Sequence, residues 1–365
     1  MSLSKNSRFR LAGVAAGATV LALALSACSG GSSAPSGGDG DDGISGTINI
    51  IGYSGIWEQR YTEAVIQPFQ DAHPGVNVNY VAKRSSAEML SALQSQGSRP
   101  GTDVAIMDQS VAQSGNEQGI FAKLDESITP NIASVKDEFL DPDGFGPVLH
   151  LDAIGILYDT EVFDSAPTSW EELWNPEWAG KVNLMAPPSL LGLAATAAAS
   201  TIEGEDYTQS IDKGVAKLKE LAPNVQTFAP NPDEWQSIIT GQTVIGIGQN
   251  ARGQYYADES NGKLGIAFPE EGTFYQLNTI NLVEGAPNEE AAIAFVDYAL
   301  SAEAQLAFAE ALYYAPSVEV DIPAETADRI IATDGSIKIL PFDVDFLAGV
   351  RDPWTDIWKR EIISQ

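Results

Sequence analysis

The alternation of short β-branched segments with segments of helical periodicity, which begins after Gly46, is the feature that most restricts the fold. Residues 47–51, 76–81 and 104–107 are dominated by β-branched and other apolar residues, and residues 57–72 repeat apolar side chains on one helical face. Such alternation is typical of βα units built around a largely parallel sheet. We therefore expect an α/β protein.

Two helix starts carry a recognisable spacing. Ser85 with Glu88, and Ser169 with Glu172, are separated as in a capping box, in which the serine hydroxyl accepts a hydrogen bond from the first turn of the helix. The ten apolar residues 190–199 are too few to cross a bilayer, which takes about 20 residues. They predict a buried core helix.

Two short apolar strands are followed by a change in the density of predicted elements. They lie around Ile154 and at residues 265–268. We interpret them as two crossings between lobes, which leave an outer pair of segments and a central insert. Residues 288–312 predict a long Ala-rich helix that Pro316 ends.

The N-terminal segment resembles a bacterial lipoprotein signal. Lys5, Arg8 and Arg10 precede fifteen apolar residues, 11–25, and small residues precede Cys28. We expect cleavage before Cys28 and lipidation of its thiol, because more than one acyl chain gives stable anchoring. The alternative is a buried free thiol. This cysteine is the only one, so the chain has no intrachain disulfide.

A tether follows the predicted lipid anchor. Twelve of the eighteen residues from 29 to 46 are Gly or Ser. This composition predicts a flexible coil with an end-to-end distance on the order of 25 Å. The globular part would then lie just outside the membrane.

The charge balance excludes one class of function. The chain has a net charge of −30 at pH 7, with 44% hydrophobic residues, which is ordinary for a globular protein. Nucleic-acid binding needs the opposite sign, since Lys and Arg make the phosphate contacts. We expect no nucleic-acid partner.

The sequence shows no recognisable catalytic or metal-binding motif. The only histidines are His73 and His150, without zinc-site spacing, and the glycines around Ser54 miss the spacing of a nucleophile elbow. A calcium-loop pattern opens at Asp141 but fails at Asp152, where the twelfth position requires Glu. We predict no catalytic residue, no metal and no cofactor, and hence no enzyme.

Seven segments carry a resemblance to a known family. They are residues 52–57, 65–69, 102–108, 153–158, 168–180, 268–272 and 343–358. In this order they resemble the spermidine/putrescine-binding-like solute-binding lipoproteins of bacterial ABC importers. The resemblance implies a two-lobed type 2 periplasmic-binding-protein fold. Each lobe would be a mostly parallel sheet with flanking helices, and a crossing-strand hinge would join the lobes.

The same resemblance implies a function and a set of domains. The protein would capture a small solute, a polyamine or another small polar or cationic compound, in the cleft between lobes. It would deliver this solute, as a monomer lipid-anchored to the outer face of the cytoplasmic membrane, to the permease and ATPase subunits. The domains would be a signal peptide (1–27), a lipidated linker (28–46), lobe 1 (47–152 and 269–320), lobe 2 (153–268) and C-terminal helices on the lobes (321–365).

Candidate binding residues come from the loops that follow strands, since strand ends in α/β lobes face the crevice. A polyamine needs carboxylates and aromatic faces. The carboxylates expected from the resemblance are absent at residues 186–190 and 274–278, and Asp108 and Asp152 are the available substitutes. The candidate ligand-binding residues are Tyr53, Ser54, Trp57, Asp108, Gln109, Asp152, Asn250 and Tyr275.

Two alternatives stay open. A ferric-iron-binding protein of the same fold would use adjacent tyrosines, and Tyr255 and Tyr256 follow Asn250 after an apolar strand, with four residues intervening. A lipid-anchored hydrolase is disfavoured because no nucleophile and base stand at a recognisable spacing. The identity of the solute does not follow from the sequence.

Overall fold

The computed structural model describes residues 43–231, 233–342 and 344–364. The predicted signal peptide and Cys28 lie outside these residues. The strands are β1 (Gly46–Tyr53), β2 (Val76–Lys83), β3 (Val104–Asp108), β4 (Val148–Asp159), β5 (Val182–Asn183), β6 (Val225–Thr227), β7 (Ile245–Gln249), β8 (Leu264–Ala267), β9 (Tyr275–Leu282) and β10 (Ala315–Pro316).

The helices lie between these strands and after them. They are α1 (Ile56–Tyr61), α2 (Gln67–Ala72), α3 (Ser86–Gln96), α4 (Gln109–Glu117), α5 (Leu190–Ile202), α6 (Asp212–Leu221), α7 (Glu234–Ile239), α8 (Asn250–Glu259), α9 (Glu289–Ala299), α10 (Ala302–Leu312), α11 (Ala324–Ala327) and α12 (Val344–Glu361). A π-helical turn, Thr62–Ile66, joins α1 to α2. Short 3₁₀ turns are Pro130–Ser134, Asp137–Phe139, Trp170–Trp174, Pro176–Trp178 and Ala222–Asn224.

Two β-sheets share strand β4. The first sheet has the order β2-β1-β3-β9-β4, with β10 also on β4, and the second has the order β4-β7-β5-β6, with β8 on β4. The pairs β1–β2, β1–β3, β5–β6 and β5–β7 are parallel, as expected for strands joined through helices. The pairs formed by β4 and β9 are antiparallel, so the sheets are mixed rather than mostly parallel.

Strand β4 passes from one sheet to the other at Ala153–Ile154. Its residues up to Ala153 pair with β9, and those from Ile154 onward pair with β7 and β8. The return to the first sheet lies beside it, because the amide of Ile154 donates to the carbonyl of Phe274 at 3.0 Å, just before β9. The sequence places the second crossing at residues 265–268, but residues 265–267 pair with β4 in the second sheet as part of β8, and the return follows them.

Each sheet has its own hydrophobic core. The core of the first lobe is built on the first sheet and includes Trp57 and Phe295, and that of the second lobe includes Trp170 and Trp358, all with at most 1% exposure. Helix α5 lies inside the second core, with every residue from Leu190 to Ser200 buried, which confirms the predicted core helix. The fold is thus α/β with two lobes.

The long helix predicted for residues 288–312 is two helices. It breaks between Ala299 and Ala302, and α10 ends at Leu312, where Tyr313 takes a left-handed conformation with φ of 58°. Among the described residues no single helix is long and apolar enough to span a membrane, whereas α9 and α10 together pass that test with a bend of 66° between them. Both helices contribute buried residues to the first core.

The predicted caps differ in outcome. Ser85 Oγ accepts from the amide of Glu88 at 3.3 Å and begins α3, as expected. Ser169 Oγ accepts instead from the amide of Glu171, and the turn that follows is a 3₁₀ helix. The end of the predicted linker joins the fold, since Ile44 is buried in the first core and β1 begins at Gly46.

Candidate functional site

Two cavities are lined by residues of both lobes. The α4–α5 cavity has a volume of about 290 Å³, and the α1–α7 cavity has a volume of about 480 Å³. The first is lined by Asp108, Gln109, Ser110, Leu190, Tyr275, Leu277, Ile339, Leu340, Pro341, Phe342 and Leu347. The second is lined by Ile56, Gln59, Gln236, Ile239, Tyr255, Tyr256, Glu259 and Ser260. Clefts between lobes are where small-molecule sites concentrate.

Three of the predicted site residues meet in the α4–α5 cavity. They are Asp108, Gln109 and Tyr275. Asp108 caps α4: its Oδ1 accepts from the amide of Ser110 at 3.0 Å and also from the Ser110 hydroxyl. The Tyr275 hydroxyl donates to the carbonyl of Ala332 at 3.4 Å. The carboxylate of Asp108 therefore serves the helix and borders the cavity at once.

Tyr53 lies at the junction of the lobes, and its side chain is buried. Its hydroxyl donates to Asn278 Oδ1 at 2.8 Å and contacts Ser86 Oγ at 2.8 Å, and Ser86 Oγ in turn accepts from the amide of Asp108. Burial, followed by the charge of Asp108, raises the pKa of Tyr53. The phenol stays neutral at physiological pH. Ser54 is partly buried, and its amide donates to the carbonyl of Lys83.

Trp57 has no exposed surface to offer a solute. It is fully buried, stacks on Tyr61 with ring centres 4.5 Å apart, and packs edge-on against Phe308 at 5.4 Å. The helical periodicity that places it one turn before Tyr61 points its side chain into the first core. It backs the Tyr53 ring from 5.6 Å instead of lining the cleft.

Asp152 and Asn250 are both fully buried where strand β4 meets the start of α8. Asp152 Oδ1 accepts from the amides of Ala153 at 2.7 Å and Ala251 at 2.9 Å, while Oδ2 has no partner among the described residues. Burial raises the pKa of Asp152 to about 7. Asn250 Nδ2 donates to the carbonyl of Arg329 at 2.8 Å. Asp152 thus joins β4 to the start of α8, and Asn250 joins α8 to the segment around Arg329.

Arg252 is a cation at the junction of the lobes that the sequence analysis does not single out. Its guanidinium lies over the rings of Tyr53 from the first lobe and Trp235 from the second, 5.6 Å from each ring centre. It is partly buried, and no carboxylate oxygen in the described part of the chain lies within 4.0 Å of it. Its Nε is buried and has no partner in residues that the structure describes.

Asp152 and Glu234 are carboxyl groups near Arg252, and neither is fully ionised near neutral pH. Burial raises the pKa of Glu234, like that of Asp152, to about 7, and the nearby Arg252 charge opposes this shift in both. Burial alone would lower the pKa of Arg252, but the Tyr314 and Glu234 groups raise it overall. A cation therefore stands at the junction beside carboxyls that are partly protonated near neutral pH. The sequence signal was available, since Arg252 is in the first turn of a helix that follows a strand.

The residues of the iron alternative also lie at a cavity. Tyr255 and Tyr256 line the α1–α7 cavity, but the Tyr255 hydroxyl accepts from Arg60 Nη2 at 3.4 Å and the Arg60 charge lies 5.1 Å from its ring centre. Among the described residues no three His, Cys, Asp or Glu side chains are grouped as a metal site. His150 is buried between aromatic rings, and burial lowers its pKa to about 3.

Comparison with known proteins agrees with this architecture. Residues 64–328 match the family described as bacterial extracellular solute-binding protein. The chain is 28% identical to iron uptake protein A2 of Synechocystis over 76% of its length and 80% of that protein. It is 25% identical to the gamma-aminobutyric acid-binding protein of Pseudomonas aeruginosa, covering 74% and 76% of the two chains. Identity to spermidine/putrescine-binding periplasmic protein 1 of Haemophilus influenzae is 26%, over 68% and 70%.

Solved structures show the same two-lobed fold. An ABC transporter protein from Clostridium perfringens superposes with a TM-score of 0.69 at 26% identity, over 86% of this chain and 99% of that one. The spermidine/putrescine ABC transporter substrate-binding protein of Streptococcus pneumoniae gives 0.68 at 19% identity, over 87% and 98%. The family places the protein outside the cytoplasm. The chain therefore belongs to the bacterial extracellular solute-binding proteins and serves as the solute-binding component of an ABC importer.

Proposed function

We propose that the transported solute is a small molecule with a carboxylate or similar acidic group that binds Arg252. The observation that carries this proposal is the guanidinium between Tyr53 and Trp235, which contacts both lobes and has no carboxylate within 4.0 Å in the described chain. A partly buried cation gains most from an anion that reaches it, and guanidinium binds planar acids through two parallel hydrogen bonds.

The same solute carries an ammonium group in this proposal. Tyr53 connects the two ends of the site, because its ring lies under Arg252 and its hydroxyl contacts Ser86, which accepts from the amide of Asp108. An acid on Arg252 would therefore leave the other end of a short zwitterion near Asp108, with Gln109 and Tyr275 beside it. A purely cationic polyamine would bring a second positive charge toward Arg252, which is unfavourable.

A thermal-shift and calorimetric comparison of two matched compounds tests the proposal. γ-Aminobutyrate and putrescine each have a four-carbon chain and an ammonium group, and they differ in having a carboxylate or a second ammonium at the other end. We expect γ-aminobutyrate to raise the melting temperature, because a ligand at 100 times its Kd stabilises the folded state by about 2.7 kcal/mol. Stabilisation by putrescine without stabilisation by γ-aminobutyrate would overturn the proposal.

A ferric solute is the second candidate, supported by the similarity to an iron uptake protein and by the tyrosine pair in the α1–α7 cavity. Ferric citrate belongs in the same screen for this reason. Binding of iron would add a tyrosinate charge-transfer band in the visible spectrum. Its loss in a Tyr256→Phe variant would assign the iron to this cavity and would contradict the Arg252 proposal.

The remaining features of the proposal concern place and partners. The protein would be lipid-anchored through Cys28, act as a monomer, deliver its solute to the permease and ATPase subunits and bind without turnover. Cys28→Ser should move the protein from the membrane fraction to the soluble fraction. Membrane retention of this variant after a high-salt wash would contradict lipidation.

A further inference from the structure

The C-terminal helix α12 is anchored in the second lobe. Leu347, Trp354, Trp358 and Ile362 are buried in the second core, and Trp358 Nε1 donates to Thr196 Oγ1 of α5 at 2.8 Å. These four residues recur at helical spacing, so they form one apolar face. On its other side α12 packs along α4 of the first lobe, so the helix lies between the two lobes.

One side chain of α12, Arg351, hydrogen-bonds to both lobes. Arg351 Nη2 donates to Ser110 Oγ in the first turn of α4 at 2.6 Å, and Arg351 Nη1 donates to the carbonyl of Pro188, just before α5, at 2.6 Å. No carboxylate oxygen of the described chain lies within 4.0 Å of this guanidinium. A single side chain thus joins the starts of two helices that belong to different lobes.

The Ser110 end of this connection leads to the cavity. The Ser110 hydroxyl donates to Asp108 Oδ1 and accepts from Arg351, and both Asp108 and Ser110 line the α4–α5 cavity. A hydroxyl has one hydrogen to donate, so the direction of the two bonds is fixed. Arg351 therefore orients the Ser110 hydroxyl toward the carboxylate that borders the cavity.

We propose that Arg351 is a positioning residue that ties the start of α4 to the start of α5 and holds the two lobes closed around the cavity. Both of its hydrogen bonds exist together only while the two helix starts stay within reach of one guanidinium. Opening at the strands that cross between the lobes separates these helix starts and must break one of the bonds. The tie acts in the protein without solute, so it does not depend on which solute binds at Arg252.

Distance measurements between spin labels on the two lobes test the tie. The full chain would carry Cys28→Ser and two cysteines at exposed positions, Ser95 of α3 in the first lobe and Glu220 of α6 in the second. Double electron–electron resonance is recorded with no solute added. We expect Arg351→Gln to shift the distance distribution to longer values and to broaden it, because the bond between the lobes is lost.

Ser110→Ala provides the second variant, since it removes the acceptor on α4 and leaves α12 intact. It should shift the distribution in the same direction. The double variant should match Arg351→Gln alone, because Arg351→Gln already removes the bond to Ser110. Arg360→Gln is the control: Arg360 is exposed on the same helix and pairs with its neighbour Glu361. Its distribution should match that of the parent chain.

Three results would overturn the tie. They are unchanged distributions in both Arg351→Gln and Ser110→Ala, additive shifts in the double variant, and an equal shift in Arg360→Gln. If Arg351→Gln loses helical circular dichroism through detachment of α12, Ser110→Ala decides alone. Failure of these measurements leaves the solute proposal standing, because calorimetry with γ-aminobutyrate and putrescine is read independently.

Discussion

Two arginines at the junction of the lobes have opposite surroundings. Arg252 lies over the rings of Tyr53 and Trp235 and interacts with the Tyr314 hydroxyl, while its buried Nε has no hydrogen-bond partner among the described residues. Arg351 donates to the hydroxyl of Ser110 and to the carbonyl of Pro188, one group from each lobe. Both lack a carboxylate partner among the described residues, yet only Arg351 has its hydrogen bonds satisfied by both lobes.

The difference shows how one residue type takes two roles in a binding protein. A buried donor without a partner costs free energy, about 1–3 kcal/mol and more for a charged group, until a ligand supplies the acceptor. This unpartnered donor is the reason for which Arg252 is proposed to bind the solute. A guanidinium whose donors already meet protein oxygens has little to gain from a ligand, and it contributes to the relative position of the lobes instead.

The largest effect we expect concerns the aromatic support beneath Arg252. Trp57→Ala should lower the free energy of unfolding by about 3–5 kcal/mol, because it empties a fully buried site against Tyr61 and Phe308. Chemical denaturation measures it, with Trp57→Phe as the milder matched change. If the Trp57→Ala variant is as stable as the parent but no longer binds the solute, Trp57 lies in the cleft and contacts the solute.

The second prediction separates the two arginines directly. Arg252→Gln should weaken binding of the carboxylate solute by about 2–5 kcal/mol, which is roughly 30-fold to several thousand-fold in Kd, because a desolvated charge loses its partner. Isothermal titration calorimetry measures it, and Arg252→Lys, which keeps the charge, should recover part of the affinity. If Arg252→Gln binds the solute almost as tightly as the parent, Arg252 does not bind the solute, and its role does not differ from that of Arg351 in this respect.

The third prediction concerns the carboxyls that surround Arg252. The folded pKa of Asp152, about 7, is above its ordinary value of 3.8, so the folded protein keeps a proton that the unfolded chain releases between these values. The contribution of Asp152 to stability is therefore highest below about pH 4 and falls as pH rises to about 7, by at most about 1.4 kcal/mol per pH unit.

Asp152→Asn checks this directly. Its amide oxygen can still accept from the amides of Ala153 and Ala251, and the group no longer titrates. Denaturation curves from pH 4 to 8 should show the variant gaining stability relative to the parent as pH rises. If the difference in unfolding free energy between variant and parent stays constant across this range, burial does not raise the pKa of Asp152. Glu234→Gln is the matched change at the second carboxyl.

The smallest effect distinguishes capping from solute contact at Asp108. Asp108→Ala should lower the unfolding free energy by about 1 kcal/mol through loss of the cap on α4, whereas Asp108→Asn keeps a capping oxygen and should change it by a few tenths. Both remove the charge proposed to attract an ammonium group. Equal loss of γ-aminobutyrate binding in both variants would support solute contact, and unchanged binding in both would leave Asp108 as a cap.

Much of the fold follows from local pattern. The strands at residues 47–51, 76–81 and 104–107 and the buried helix from Leu190 are confirmed, because side-chain alternation and apolar runs act over a few residues. The prediction of one long helix over residues 288–312 was wrong, because the structure has two helices there. An Ala-rich composition favours helix throughout the segment and does not indicate where packing interrupts it.

Only part of the candidate site could be predicted from local sequence pattern. Asp108, Gln109 and Tyr275 were found because they follow or begin strands, and they do meet at one cavity. Arg252 and Arg351 were missed. A cationic solute calls for acids and aromatic residues, whereas the importance of an arginine depends on which partners it lacks after folding.

The sequence by itself determined the α/β class, the family and the strand-end loops that supply the cavity, since these depend on spacing along the chain. Only the tertiary structure decided that Trp57 faces the core, that Asp152 is buried with an unpartnered oxygen, and that Arg351 spans both lobes. Ser110 and Arg351 are separated by 241 residues and Tyr53 and Asn278 by 225. Burial and charge pairing depend on such distant contacts, which no local pattern encodes.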